Sequence, residues 1–118
     1  MQPYNEINFE TRGNVMLWDI RGDITAFSEP YFNEAYQKAN DQGVRNILFK
    51  LEKGAYVNSG GIAILLLILA QTKTNYQRVG ITGASDHNTK IFSMLGINKF
   101  ARLYPSVENA LELMAENE

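Results

Sequence analysis

Apolar and polar residues follow two periods along this chain, and the periods take turns. Ile7 and Phe9 alternate with polar neighbours and predict a strand over about residues 6–12. Arg12-Gly13-Asn14 is a tight-turn signal, so the next strand is expected to return antiparallel. Val15 to Ile20 is apolar at positions of both parities, which predicts a strand covered on both faces, with Trp18 inside it. Arg21 to Thr25 reads as a loop. Ser28-Glu29-Pro30 then opens a helix, with Ser28 or Glu29 near its cap and Pro30 in the first turn. Tyr31, Ala35 and Ala39 fall on one helical stripe, with Phe32 and Tyr36 beside it, and Gly43 ends the element. Asn46 to Leu51 is a second doubly covered strand, followed by a loop from Glu52 to Ala55.

The longest apolar run comes next. Tyr56-Val57-Asn58-Ser59-Gly60-Gly61 turns through small polar residues and glycines into Ile62–Ala70, and the helix is expected to end near Thr74. Asn58 and Ser59 are both good caps, because a short side-chain oxygen accepts from an amide that the first turn leaves unpaired. A helix apolar on all sides is normally buried, and Leu66 is expected in the core. Ala63 and Leu67 are the positions expected to reach a partner. Arg78 to Thr82 predicts a short strand. Gly83-Ala84-Ser85 turns into a helix capped by Ser85 or Asp86, with Ile91, Met94 and Leu95 facing inward and Gly96 as its stop. Phe100 to Tyr104 reads as a last short strand. Pro105-Ser106 opens a final helix with Val107, Ala110, Leu111 and Met114 on one face.

Strands alternating with helices predict an α/β fold, and the opening hairpin makes the sheet mixed. The expectation is one domain over residues 1–118, with about five strands and about four helices, its parallel neighbours joined by right-handed crossovers.

Composition narrows the function. The chain has 118 residues, 45% hydrophobic, which supports a core without disulfides. It has no cysteine and one histidine, which excludes a catalytic thiol or zinc-thiolate site and argues against any transition-metal site. The absence of cysteine fits a reducing compartment. Thirteen acidic against eleven basic residues give a net charge of -2, a poor footprint for nucleic acid. Met1-Gln2-Pro3-Tyr4-Asn5 lacks the basic start and apolar core of a signal peptide, and Ile62–Ala70 is too short to cross a bilayer. The expectation is a cytoplasmic domain with no cofactor, no metal and no membrane partner.

Three stretches invite chemistry. Gly60-Gly61 suggests a phosphate cradle, but no Gly-Lys-Ser/Thr follows, and close backbone approach or a permissive turn explains the pair better. Asp86-His87 suggests a triad with Ser59. Adjacent helical residues point about 100° apart, so Asp86 is poorly placed to orient His87, and it is better explained as a first-turn carboxylate on the helix dipole. Ser59 itself, a small hydroxyl at the start of a helix whose amino end carries partial positive charge, suits phosphate. A small hydrolase using Ser59 is the reading of another class, and a reactive-serine probe would separate it from a binding module.

The order of strand, hairpin, Gly22-Asp23-Ile24, the Ser28-Glu29-Pro30 helix, strand, Asn58-Ser59-Gly60-Gly61-Ile62 and long apolar helix resembles the STAS domain. So does the closure in Leu95-Gly96-Ile97 and Val107-Glu108-Asn109-Ala110-Leu111. STAS domains form bacterial anti-sigma-factor antagonists and the cytoplasmic tails of sulfate transporters, and without a membrane span the antagonist branch is the nearer match. That resemblance implies a protein-interaction module and not an enzyme, with an anti-sigma factor with serine kinase activity as partner, a phosphatase as a second partner, and Ser59 as phosphoacceptor. It also implies a partner surface of Asp23, Thr25, Asn58, Ser59, Gly60 and Gly61, extended by Ala63 and Leu67. The family's loop usually reads Asp-Ser-Ser-Gly or Asp-Ser-Thr-Gly. Here Asn58 stands at the acidic position and Gly60 at the second hydroxyl, and Thr25 follows Gly22-Asp23-Ile24 where the family often has an acid. The alternative is a scaffold or small-anion sensor of the same fold that is not phosphorylated.

Overall fold

The computed structural model describes residues 5–116. Met1 to Tyr4, the opening of the stretch read above for signal-peptide features, lies outside them, as do residues 117 and 118. The elements run β1 (Glu6–Arg12), β2 (Val15–Arg21), a 3-10 turn (Ala26–Ser28), α1 (Glu29–Asp41), β3 (Asn46–Leu51), α2 (Ser59–Thr74), β4 (Arg78–Thr82), α3 (Asp86–Met94), a second 3-10 turn (Ile97–Lys99), β5 (Arg102–Tyr104) and α4 (Val107–Glu116). Together they make a single α/β domain with a five-stranded mixed sheet and four helices.

The strands lie in the order β1-β2-β3-β4-β5, each beside its neighbour in sequence. β1 and β2 form the antiparallel hairpin, and the remaining pairs are parallel. Strand residues of one parity, including Met16, Trp18, Ile20, Ile47, Phe49, Val79 and Ile81, join Phe32, Leu65, Leu69 and Phe92 in the main core. Residues of the other parity, Val15, Leu17 and Leu48, meet Ala110 and Met114 of α4 in a smaller cluster on the opposite face. The inner strands are therefore apolar at both parities because each has a helix layer on either side. Trp18 is fully buried, stacked on Phe49 at 4.8 Å and met edge-on by Phe32 and Phe9. A side chain of that size buried against apolar neighbours stabilises the fold by about 3 kcal/mol.

Three expectations need correction. Met94 and Leu95 do not face inward: they are 83% and 51% exposed. The inward face of α3 is Asn88 and Phe92, and Ile97 of the following 3-10 turn fills the space beyond them. Leu66 is only half-buried, while its neighbour Leu65 is fully buried. The last strand starts at Arg102, because Ile97–Lys99 coils first. Ser28 occupies the cap position of α1 with Pro30 in the first turn, as expected, and its hydroxyl accepts from the Thr25 amide at 3.0 Å.

Candidate functional site

Two loops leave the carboxyl ends of β2 and β3 and are tied together before α2 begins. Ile24 N–H donates to Tyr56 O at 2.8 Å, Asn58 N–H donates to Ile24 O at 3.2 Å, and Ile24 bridges Val57 in parallel. The Asp23 carboxylate accepts from the Tyr56 amide at 2.9 Å. Asn5 Nδ2 donates to the carbonyls of Arg21 and Asp23, and the Gly22 amide donates to Glu52 Oε1 at 2.8 Å. Arg21 pairs with Asp19 and Glu52. Its guanidinium is held above its ordinary value first by the hydrogen bond to Asp19 and that carboxylate's charge, with Glu52 adding to it against a desolvation that lowers it.

Thr25 starts the first 3-10 turn. Its hydroxyl accepts from Phe27 N–H at 3.1 Å while Ser28 Oγ reaches back to Thr25 N–H, a reciprocal capping box. This turn presses on the start of α2. A Cβ at Gly61 would overlap the Ile24 carbonyl, and one at Gly60 would come within 2.9 Å of the Ala26 nitrogen. Neither glycine has a positive φ. The pair thus serves close backbone approach, and the permissive-turn explanation is not needed.

Asn58 is the cap of α2. It has extended backbone, and its Oδ1 accepts from Gly61 N–H at 2.9 Å. That leaves Ser59 as the first helical residue, exposed, its hydroxyl without a hydrogen-bond partner among the described residues. An oxygen there stands at the positive end of a 16-residue helix with the Gly60 amide beside it. Ser59, Ala63, Leu67 and Ala70 are all exposed and follow the helical repeat, so they form one solvent-facing stripe, while Ile64, Leu65, Ile68 and Leu69 are buried.

The structure therefore brings Asp23, Thr25, Asn58, Ser59, Gly60 and Gly61 to one rim, with Ala63 and Leu67 running away from it along α2. Asp23 and Thr25 each have an internal hydrogen-bonding task there as well. Sequence reasoning missed two members of this surface. Phe27 is 59% exposed on the 3-10 turn and Tyr56 is 61% exposed where β3's loop meets Asp23. An aromatic set between a loop's capping residues, as Phe27 is between Thr25 and Ser28, is the signal that was available. His87 is exposed, and no hydrogen bond among the described residues joins it to Ser59 or Asp86. Among the described residues no group of three or more His, Asp or Glu side chains is placed to hold a metal, and no helix is long and apolar enough to cross a membrane.

A family model described as the STAS domain matches residues 6–110. An anti-sigma-B factor antagonist of Staphylococcus aureus is 22% identical over 104 residues, spanning 86% of this chain and 96% of that protein. Among solved structures, an anti-sigma factor antagonist from Mycobacterium paratuberculosis superposes with a TM-score of 0.74 at 17% identity, covering 92% of each chain. The anti-sigma factor antagonist SpoIIAA in its unphosphorylated form gives 0.70 at 14% identity, covering 96% of this chain and all of that one, and SpoIIAA has also been solved phosphorylated.

Proposed function

The chain belongs to the STAS domain family, and on that premise we propose that it is an anti-sigma-factor antagonist in bacterial signalling. It works in the cytoplasm as a binding module without catalytic activity of its own. Its partner is an anti-sigma factor with serine kinase activity, which docks on the rim of Asp23, Thr25 and Asn58–Gly61 and on the Ala63–Leu67 stripe. The observation that carries this reading is Ser59: an exposed, unpartnered hydroxyl on the first turn of α2, where Asn58 has already taken over the capping.

Phosphorylation transfers the γ-phosphoryl group of ATP to Ser59 Oγ: the Oγ–P bond forms as the bond to the β,γ-bridging oxygen breaks, ADP leaves, and the hydroxyl proton goes to the partner's base. The product carries about −1.5 to −2 charges, which the helix terminus stabilises. The same charge, next to exposed Leu67, Phe27 and Tyr56, is costly to desolvate under a docked apolar surface. The fold is kept and the partner is lost. A phosphatase that hydrolyses the ester resets the domain.

The test is labelling with the partner kinase and ATP. Wild type is expected to be labelled, Ser59→Ala to stay unlabelled yet retain the partner, and Ser59→Asp to fold but lose it. Labelling that persists in Ser59→Ala places the acceptor elsewhere. An unlabelled wild type that still captures the partner replaces the switch with a constitutive antagonist.

A further inference from the structure

At the end of the sheet away from Ser59, where β2, β3 and β4 begin, lies a cavity of about 730 Å³. That is within the roughly 300–1,000 Å³ usual for small-molecule sites. Its walls are the β1–β2 turn, the α1–β3 turn and the α2–β4 turn, and it has two arginines, Arg45 and Arg78, but no carboxylate among its lining residues. In a chain of net charge -2 that is a local reversal of sign. Neither arginine belongs to an ion pair among the described residues. Arg78 Nε donates to Asn46 Oδ1 at 3.1 Å, which fixes the guanidinium at the cavity wall and leaves its terminal nitrogens for another acceptor.

The third component is Tyr76. Helix α1 ends with a left-handed residue, Gly43, and α3 with another, Gly96. The same termination closes α2, with Gln77 N–H on Thr72 O and Tyr76 N–H on Lys73 O, yet the left-handed residue is Tyr76, at φ 57°. It is the only residue other than glycine with a positive φ among those described, and its side chain is 82% exposed over the cavity. Glycine would be the unstrained choice there. The turn is also held rigidly: Tyr36 OH donates to Gln77 Oε1 at 2.7 Å, and Gln77 Nε2 donates to Asn40 Oδ1 and Val44 O, both at 2.9 Å. A strained aromatic on a braced turn and two arginines outside any ion pair line one space.

We infer that this cavity binds a small phosphate monoester with an aromatic body, its phosphate held by Arg45 and Arg78 and its ring packed on Tyr76. Planar guanidinium groups take phosphate oxygens in pairs.

Phenyl phosphate is the probe, followed by backbone and side-chain amide NMR shifts, with inorganic phosphate and phenol as its two halves. Saturable shifts are expected at Arg45, Tyr76 and Arg78 with a Kd on the order of 1 mM or tighter. Inorganic phosphate should bind more weakly at the same residues, and phenol not at all. Arg45→Gln, at an exposed side chain, should keep the melting temperature and weaken phenyl phosphate about tenfold. Tyr76→Gly should raise the melting temperature and erase the preference for phenyl phosphate over inorganic phosphate. The proposal is overturned if no saturable shift occurs at these residues up to about 10 mM, if shifts gather at Ser59–Gly61 instead, or if Arg45→Gln binds as wild type does. Since Ser59 is at the other end of the sheet, none of these failures touches the antagonist reading.

Discussion

Gly60 and Gly61 differ in what a methyl group would meet, and so in what it would cost. At Gly61 the obstacle is the Ile24 carbonyl, fixed by its bond from Asn58 N–H, so neither side can yield. Gly61→Ala is expected to cost about 3 kcal/mol or more. At Gly60 the obstacle is the Ala26 backbone nitrogen at 2.9 Å, a milder overlap than the one at Gly61, and Gly60→Ala should cost less, about 1–2 kcal/mol. Denaturant melts of the two variants check the order; equal losses would mean the turn is as rigid as the bridge. The contact also bears on the family's loop, because adding its second hydroxyl as Gly60→Ser would displace Ala26. Asp23→Ala removes only the bond to the exposed Tyr56 amide and should cost about 1 kcal/mol. A partner affinity that falls by more than the melting shift explains would assign Asp23 to the interface. The cap was legible at this scale, because Asn58 acts on an amide three residues away. The Gly60–Ala26 approach was not, because it joins residues from different loops.

Helix α2 is apolar through most of its length, and that uniformity conceals its orientation. Periodicity needs a polar face to set its phase, and Ile62–Ala70 has none. Leu65 is fully buried, Leu66 half-buried and Leu67 56% exposed, three consecutive leucines in three environments. Leu65→Asp should therefore unfold or aggregate the protein, since an unpaired carboxylate there costs several kcal/mol. Leu67→Asp should change stability by no more than about 0.5 kcal/mol while weakening the partner complex. Circular dichroism melts and a pull-down read the two effects separately, and a Leu67→Asp that melts early would place the stripe in the core. Helix α3 shows the reverse error. Its inward stripe includes Asn88, a polar residue whose amide donates to Ala55 O at 3.3 Å, so a search for apolar spacing passed over it and settled on Met94 and Leu95.

Across the whole molecule one sheet carries both ends. β3 begins at the arginine-lined cavity and finishes at the loop leading to Ser59, with its centre locked by the Trp18–Phe49 stack. Because that stack lies in the core shared by α1, α2 and α3, Trp18 fluorescence should report the same transition as far-ultraviolet circular dichroism, a single step. Separated midpoints would show that the two helix layers unfold independently. The alternation of strands with helices that predicted the sheet was legible because β2 and β3 are short, bounded apolar runs; the cavity was not, since its three turns are distant in sequence.

The strand order has a further meaning in time. Every strand pairs with the one made just before it, so a chain emerging from the ribosome can add β3 to a finished hairpin, then β4, then β5, each through a single crossover connection. The main-core face gains its cover along the way from α1, α2 and α3. The other face does not: Val15, Leu17 and Leu48 wait for Ala110 and Met114, which arrive only in α4. A nascent chain stopped at Tyr104 would have its sheet built and that face bare, and it is this intermediate that a chaperone would find sticky.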